Sequence, residues 1–464
     1  MKKIILSFFS FFIYSFSSLI ESNISKRSVQ VLEDLDIKSS FITDYYLQEM
    51  YSKYQNNRDY YYYISKLNDA SLFVPRVKDI LRQEGIPSVF IYMAMAESNF
   101  SINAKSSVKA TGLWQFMDTT GRKYGLRNDK YVDERMDLIK STVAATKYLN
   151  SLHKRFDKWY LAAISYNCGE GRVIEAITRA TIDSYVKKFP DEKRSEKIQK
   201  FRTTIKAYQE RKVPFFKLGR IYKEVLTWNI ELDVNDLLTV QDGLERQYLP
   251  KESRIYIRKI IALAMMNSLS FIKEKKNSHL LNMGISTTIA TVPVKGGLHL
   301  RNIAKSINMT YENLLGLNRH IKQSIIPPTD KYYTINIPYN KLNIFNQNRD
   351  SIKDSKFAVH IVKKGDTLSY ISNKYKLAIS LIKDYNNFKT NTLSLGQKII
   401  LPILSDMASE IKSVTKKKIR EYTVKSGDSL SSIARKHDIA IDKLMKNNKM
   451  KSTIIKIGDR LVLN

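Results

Sequence analysis

The chain is short of the residues that crosslink a protein, bind metals or loosen a backbone. One cysteine, Cys168, occurs in 464 residues, so no intrachain disulfide can form. Six histidines fall without spacings such as His-Glu-x-x-His, and no metal site is expected. Phosphate loops and dinucleotide fingerprints are missing too, so no cofactor is expected. Glycine and proline number only 16 and 10, too few for long flexible linkers. Acidic residues are the scarce charge, 45 against 77 basic, for a net charge of +32. That field attracts polyanions and anionic surfaces, and charge alone does not choose among them. What is present, 43% hydrophobic and 26% charged residues, suits folded material, and the length suits two to four domains.

The N-terminus narrows the choice. Met1-Lys2-Lys3 precedes an apolar run over residues 4–16. A positive start and a run of this length read as a signal peptide over 1–20, or a retained anchor in the absence of a clear cleavage site. The run is short of the roughly 20 apolar residues that span a bilayer. No cysteine lies near it, which excludes lipid attachment at a cysteine. An exported protein of the cell envelope or periplasm is therefore expected, and nucleic acid is not an expected partner.

Residues 22–80 read as helical and rich in tyrosine, with Tyr45, Tyr46, Tyr51, Tyr54 and residues 60–63 close together. Packing against the next domain is the expected use, and a sugar-stacking platform the alternative. Residues 81–275 read as a compact helical domain. Ser88 is placed to cap a helix whose residues 89–96 are apolar nearly all round, which makes it central. Glu97 stands near its end. Helical spacing continues over 137–153, from Trp159, over 196–228 and over 252–272. A strongly basic helical stretch occupies about 187–245.

Beyond residue 291 one plan recurs. His360-Ile-Val-Lys-Lys-Gly365-Asp366-Thr367-Leu368 is matched by Tyr422-Thr-Val-Lys-Ser-Gly427-Asp428-Ser429-Leu430. Each continues to an asparagine, Asn386 or Asn447, then to Gly396 or Gly458 and a short apolar run. The pattern predicts βααβ units over 358–402 and 421–464, each with a Gly-Asp turn whose aspartate caps the first helix. A weaker copy spans 292–338 with Leu298 in place of the aspartate. Residues 403–420 form a lysine-rich linker.

Four clusters carry chemistry. A carboxylate at the end of an apolar helix, Glu97 beside Ser98, is poorly hydrated, so it holds its proton toward neutral pH. The run Gly112-Leu113-Trp114-Gln115-Phe116 suggests a tight turn lining a pocket, although Trp114 by itself reads equally well as core. Tyr166-Asn167-Cys168-Gly169 places two hydrogen-bonding groups where a helix breaks; the cysteine reads as inert. Glu252 and Tyr256 lie one helical turn apart on one face.

Together these clusters resemble the goose-lysozyme-like (SLT) lytic murein transglycosylases, and the βααβ units resemble the LysM repeats of that family's murein transglycosylase D group. The resemblance covers residues 80–265 and most of 292–464. It implies a multidomain protein, an all-α lysozyme-like catalytic domain followed by small α+β LysM modules. It implies an enzyme that cuts peptidoglycan between N-acetylmuramic acid and N-acetylglucosamine and leaves 1,6-anhydro ends; separately, a monomer is expected. Glu97 would be the catalytic residue. Ser98, Ser106, Gln115, Tyr166, Asn167, Glu252 and Tyr256 would bind substrate, while Gly365, Asp366, Thr367, Gly427, Asp428 and Ser429 would hold glycan in the LysM modules. Peptidoglycan is the implied partner, and an anionic membrane surface is a second of matching charge. A hydrolytic muramidase and an inactive peptidoglycan-binding scaffold are the competing readings. Two departures stand out: Lys109 replaces a usual glycine and Asp118 a usual proline.

Overall fold

The computed structural model describes residues 26–267, 272, 274–282, 288–328, 330–352, 356–386, 388–403, 421–437, 439–450 and 452–463. The expected leader or anchor at 1–20, and residues 404–420 of the expected linker, lie outside them. The chain divides into two compact units, residues 1–352 and 353–464. Among the described residues no helix is long and apolar enough to cross a membrane.

The first unit opens with helices α1 (Lys26–Glu33), α2 (Tyr45–Tyr54), α3 (Asn57–Ala70) and α4 (Val74–Gln83). Tyr51, Tyr60 and Tyr63 are buried, whereas Tyr45, Tyr46, Tyr61 and Tyr62 are exposed. Burial thus accounts for only part of the tyrosine cluster. Asp44 caps α2 by accepting the Leu47 amide at 2.8 Å, and its carboxylate also takes the Arg258 guanidinium at 2.7 and 2.8 Å. That buried pair ties the N-terminal segment to the end of the helical domain; removing one partner strands a charge, at a cost of about 3–5 kcal/mol.

Helix α5 (Phe90–Ser98) is buried on every side from Phe90 to Met95. The expected Ser88 cap does not form. Val89 occupies the cap position with helical angles, and no side chain caps this end. Burial explains why none is needed: each large apolar side chain contributes about 1.5–3 kcal/mol, against roughly 1 kcal/mol for a cap. After α6 (Asp118–Lys123), helix α7 (Leu138–Phe156) starts on Asp137, whose carboxylate accepts the Ile139 and Lys140 amides at 2.9 Å. Helices α8 (Trp159–Cys168) and α9 (Glu170–Lys188) are separated by Gly169 at φ +86°.

The basic stretch forms separate helices, not one continuous run. Helix α10 (Glu196–Gln209) is followed by a turn with Arg211 at φ +59°, then Pro214, then α11 (Phe215–Val225) and α12 (Val234–Leu238). Ile198, Phe201, Ile205, Leu218, Ile221 and Val225 join the same core as α5, so these helices are part of the domain wall. Helix α13 (Lys251–Met265) is shorter than the apolar spacing suggests; it tightens at its end as the Asn267 amide turns to the Ala264 carbonyl at 3.3 Å.

A βααβ module completes the first unit. Strand β1 (Ile289–Lys295) pairs antiparallel with β2 (Tyr332–Pro338) around α14 (Leu300–Ser306) and α15 (Tyr311–Leu317), and α16 (Leu342–Asn348) follows. Tyr131 and Val132 of the helical domain enter this module's apolar core.

The second unit holds two further modules. The first is β3 (Lys356–Ile361), α17 (Leu368–Tyr375), α18 (Ile379–Asn386) and β4 (Lys398–Ile403). The second is β5 (Glu421–Thr423), α19 (Leu430–Lys436), α20 (Ile441–Asn447) and β6 (Arg460–Val462). Two local expectations are corrected here. The helix caps are Thr367 and Ser429, whose hydroxyls accept the Tyr370 and Ser432 amides at 3.1 Å. Asp366 and Asp428 instead fold back on their own turns, accepting the Lys363 and Lys425 amides at 2.7 and 2.8 Å. The asparagine that ties helix to final strand in the last module is Asn448, not Asn447; it exchanges bonds with Val462 at 2.7 and 2.9 Å. Asn386 does the same with Ile400, and Asn318 with Asn336.

Candidate active site

The end of α5 and one face of α13 bring Glu97 and Tyr256 together. Tyr256 donates its hydroxyl to Glu97 Oε1 at 2.6 Å. Burial raises the Glu97 pKa above the ordinary glutamate range; the Tyr256 hydrogen bond and the Lys259 charge pull the other way, and the Glu252 charge pushes it further up. Lys259 donates to the Ala96 carbonyl at 2.9 Å, which fixes an ammonium next to the end of α5. Glu252, Tyr256 and Lys259 follow one another at helical spacing on α13. Lys259 escaped the motif-by-motif reading, although this spacing was there to find it.

The turn of residues 109–116 is the second element of the candidate site. Gly112 has φ +87°, and a Cβ there would lie 1.8 Å from the Arg135 carbonyl oxygen, so only glycine fits. Thr111 and Phe116 exchange backbone bonds at 3.1 Å. Gln115, at φ +47°, donates to the Gly112 carbonyl at 2.8 Å and the Ala104 carbonyl at 3.3 Å. Ser106 accepts the Ala110 amide at 3.0 Å. Trp114 belongs to the core: it is fully buried and donates to Thr142 Oγ1 at 2.9 Å. Its carbonyl accepts the Tyr166 hydroxyl at 2.7 Å, linking this turn to the end of α8.

The remaining site residues divide by environment. Asn167 accepts the Ser253 hydroxyl through Oδ1 at 2.7 Å, so the end of α8 is joined to the start of α13. Ser98 is buried, and its hydroxyl bonds back to the Ala94 carbonyl at 2.9 Å. Glu252 is exposed. Burial raises the Cys168 thiol pKa, which keeps it a thiol at neutral pH. Gly365, Thr367, Gly427 and Ser429 are exposed on the second unit's turns, while Asp366 and Asp428 are half-buried.

Both departures from the family pattern find local explanations. Lys109 takes φ +65°, the left-handed conformation that glycine adopts at least cost; its carbonyl accepts Arg135 Nη1 at 3.2 Å. Asp118 is the first residue of α6, where proline is favoured and an acid is equally suited to the helix dipole. It pairs with Arg122 at 2.9 Å and accepts from Asn128 at 2.6 Å.

The structure adds a brace that sequence reasoning missed. Arg135 bonds the Asp133 carboxylate at 2.8 and 2.9 Å and the Lys109 and Phe116 carbonyls at 3.2 Å, so it pins both ends of the turn. The neighbouring module holds this segment from behind. His320 O accepts the Asp133 amide at 2.8 Å, Tyr333 donates to Glu134 at 2.9 Å, and Arg127 pairs with Asp330 at 2.7 Å. The His320 ring stands 3.2 Å from Asp137, and burial lowers its pKa, favouring the neutral ring. Three consecutive charges at 133–135 ahead of a helix were the only sequence signal of this brace.

Residues 78–187 match the family "Transglycosylase SLT domain". Residues 288–354 match "Lytic transglycosylase MltD, LysM-like domain", and residues 360–402 and 422–464 each match "LysM domain". Membrane-bound lytic murein transglycosylase D of Escherichia coli K12 is 25% identical over 446 residues, 90% of this chain and 81% of that one. A probable peptidoglycan endopeptidase, LytE of Bacillus subtilis, is 38% identical over 102 residues, 22% of this chain and 30% of its own. A putative tributyltin chloride resistance protein of Alteromonas is 37% identical over 99 residues, 21% of this chain and 48% of its own. The chain thus carries, in order, matches to a transglycosylase SLT domain, an MltD-type LysM-like domain and two LysM domains, and it is similar along 90% of its length to a lytic murein transglycosylase D.

Proposed function

We propose that this protein cuts the bond between N-acetylmuramic acid and N-acetylglucosamine in peptidoglycan without water, leaving 1,6-anhydromuramic acid ends. One observation carries the reading: Glu97 ends a buried apolar helix, its carboxyl is pushed toward the protonated form, and Tyr256 holds one of its oxygens. Glu97 first acts as general acid and protonates the glycosidic oxygen as the bond to C1 breaks. As a carboxylate it then takes the proton of the muramic acid 6-hydroxyl while that oxygen bonds to C1. Each proton given is recovered, so one residue serves both steps. Gln115, Tyr166, Asn167, Ser106, Glu252 and Tyr256 position the sugars, and Ser98 acts through the helix end it closes. The sugar's own acetamido group assists at C1, as the family resemblance implies.

The two LysM modules hold the same polymer through the turns at 365–367 and 427–429. Weak sites on one insoluble strand raise the effective concentration of the catalytic domain. A relative named as membrane-bound and the leader-like first 20 residues support an exported protein of the cell envelope. The net charge of +32 adds attraction to an anionic wall or membrane face. One specific observation favours a second reading: Glu252 is exposed one helical turn from Tyr256, which bonds Glu97, and a hydrolase would use such a second carboxylate to activate water.

Digestion of purified peptidoglycan separates the two. Anhydro products are one water lighter than reducing ends by mass spectrometry. Reducing ends alone would overturn the non-hydrolytic reading. Glu97→Gln is expected to lower turnover by at least about 10²-fold with the unfolding midpoint unchanged; a variant that keeps most of its turnover removes Glu97 from the mechanism.

A further inference from the structure

A cavity of about 1050 Å³ lies between α2 and α13. Its walls include Tyr46, Met50, Tyr54, Leu238, Val240 and Ile255. Its charged lining is one-sided, with Lys53, Lys251, Arg254, Arg258 and Lys259 against the single carboxylate of Glu49. Two of these cations are already committed, Arg258 to Asp44 and Lys259 to the Ala96 carbonyl. Arg254 is different: its Nε is buried and has no hydrogen-bond partner. Burial and the neighbouring Arg258 act together against its charge. A buried N–H without an acceptor costs free energy, and an acceptor oxygen from an anionic ligand would recover it. Lys259 lines this cavity and also bonds the carbonyl next to Glu97, so one side chain links the two.

We propose that this cavity receives the acidic peptide carried by the muramic acid of the strand being cut, with Arg254 taking a peptide carboxylate and the tyrosine, methionine and isoleucine walls taking its apolar groups. The assignment rests on peptidoglycan being the substrate. A short peptide of alanine, glutamate and diaminopimelate matches the site in sign and in its mix of methyl and carboxylate groups. A stripped strand keeps one lactyl carboxylate on each muramic acid but none of the methyl and carboxylate groups of the peptide, so this cavity would distinguish peptide-bearing strands from stripped ones.

The test uses the full chain and the free tetrapeptide of alanine, glutamate, diaminopimelate and alanine, followed by calorimetry. Saturable binding is expected, weakened roughly tenfold in Arg254→Met, the loss of one charge-assisted contact. Lys251→Met at the rim is expected to act in the same direction with a smaller effect. In cutting assays Arg254→Met should raise KM on peptide-bearing strands, and its loss should be confined to those strands. Failure of the wild-type chain to bind the tetrapeptide, or equal binding by both variants, overturns the proposal. So does Arg254-dependent binding to phosphatidylglycerol vesicles with no tetrapeptide binding, which reassigns the cavity to lipid. If tetrapeptide binding depends on Arg254 but no anhydro product forms, the cavity assignment stands and the catalytic reading falls.

Discussion

Three modules share the βααβ frame, and the first is used differently from the other two. In the module at 288–352 the Gly-Asp turn is gone: Leu298 is buried, and His299 caps α14 by accepting the Arg301 amide at 3.0 Å. Its surface carries His320, Asp330 and Tyr333 against residues 127–137 of the catalytic domain. In the modules of the second unit the aspartate remains and closes the turn, leaving Gly365, Thr367, Gly427 and Ser429 outside. Large apolar side chains are exposed there as well, among them Tyr370, Leu395, Ile454 and Ile457. One frame thus serves as a brace in the first unit and keeps its turn residues exposed in the second. The lost aspartate is the sequence mark of that change.

The comparison can be broken most sharply at Arg135. Arg135→Met leaves Asp133 buried without its cation and frees both ends of the 109–116 turn. A loss of about 3–5 kcal/mol is expected, read by urea unfolding, together with lower turnover of short soluble glycan strands. Wild-type stability in this variant would remove the brace. Deletion of residues 353–464 tests the other half. Turnover of short soluble strands is expected to persist, while pelleting with cell-wall sacculi weakens by about 10²-fold; unchanged pelleting would sink the grip. Tyr333→Phe removes one hydrogen bond to Glu134 and leaves Lys140 beside it. About 1 kcal/mol is expected, with no change in pelleting.

The smallest effect concerns pH in the second unit. The Lys363 amide, then His360, hold the Asp366 pKa below the usual value. A carboxylate whose folded pKa is depressed stabilises the fold above its unfolded pKa of about 3.9, and that contribution fades as pH falls toward the folded value. Thermal unfolding of the second unit should therefore weaken below about pH 4. Asp366→Asn should flatten that dependence; an unchanged slope would place the acid sensitivity elsewhere.

Much of the site was legible because its signals are local. An all-apolar helix with one carboxylate at its end points to Glu97, and a glycine between a threonine and large apolar groups points to the Gly112 turn. Glu252 and Tyr256 share a face by spacing alone. Lys109 and Asp118 looked like defects in the sequence, because a backbone angle and a helix position are invisible until the chain is folded. Arg135 and His320 were out of reach for a different reason: nothing in their neighbourhoods shows that segments almost 200 residues apart meet.

By itself the sequence determined the order of domains, the repeated βααβ frame and the helix that carries Glu97. These follow from side-chain periodicity and turn chemistry acting over a few residues. Only the tertiary structure decided that the basic stretch is domain wall, that Thr367 and not Asp366 caps its helix, and that the first module braces the segment that pins the 109–116 turn. Those outcomes depend on which buried surfaces and charges find partners across the fold, and partners distant in sequence are chosen by packing, not by local pattern.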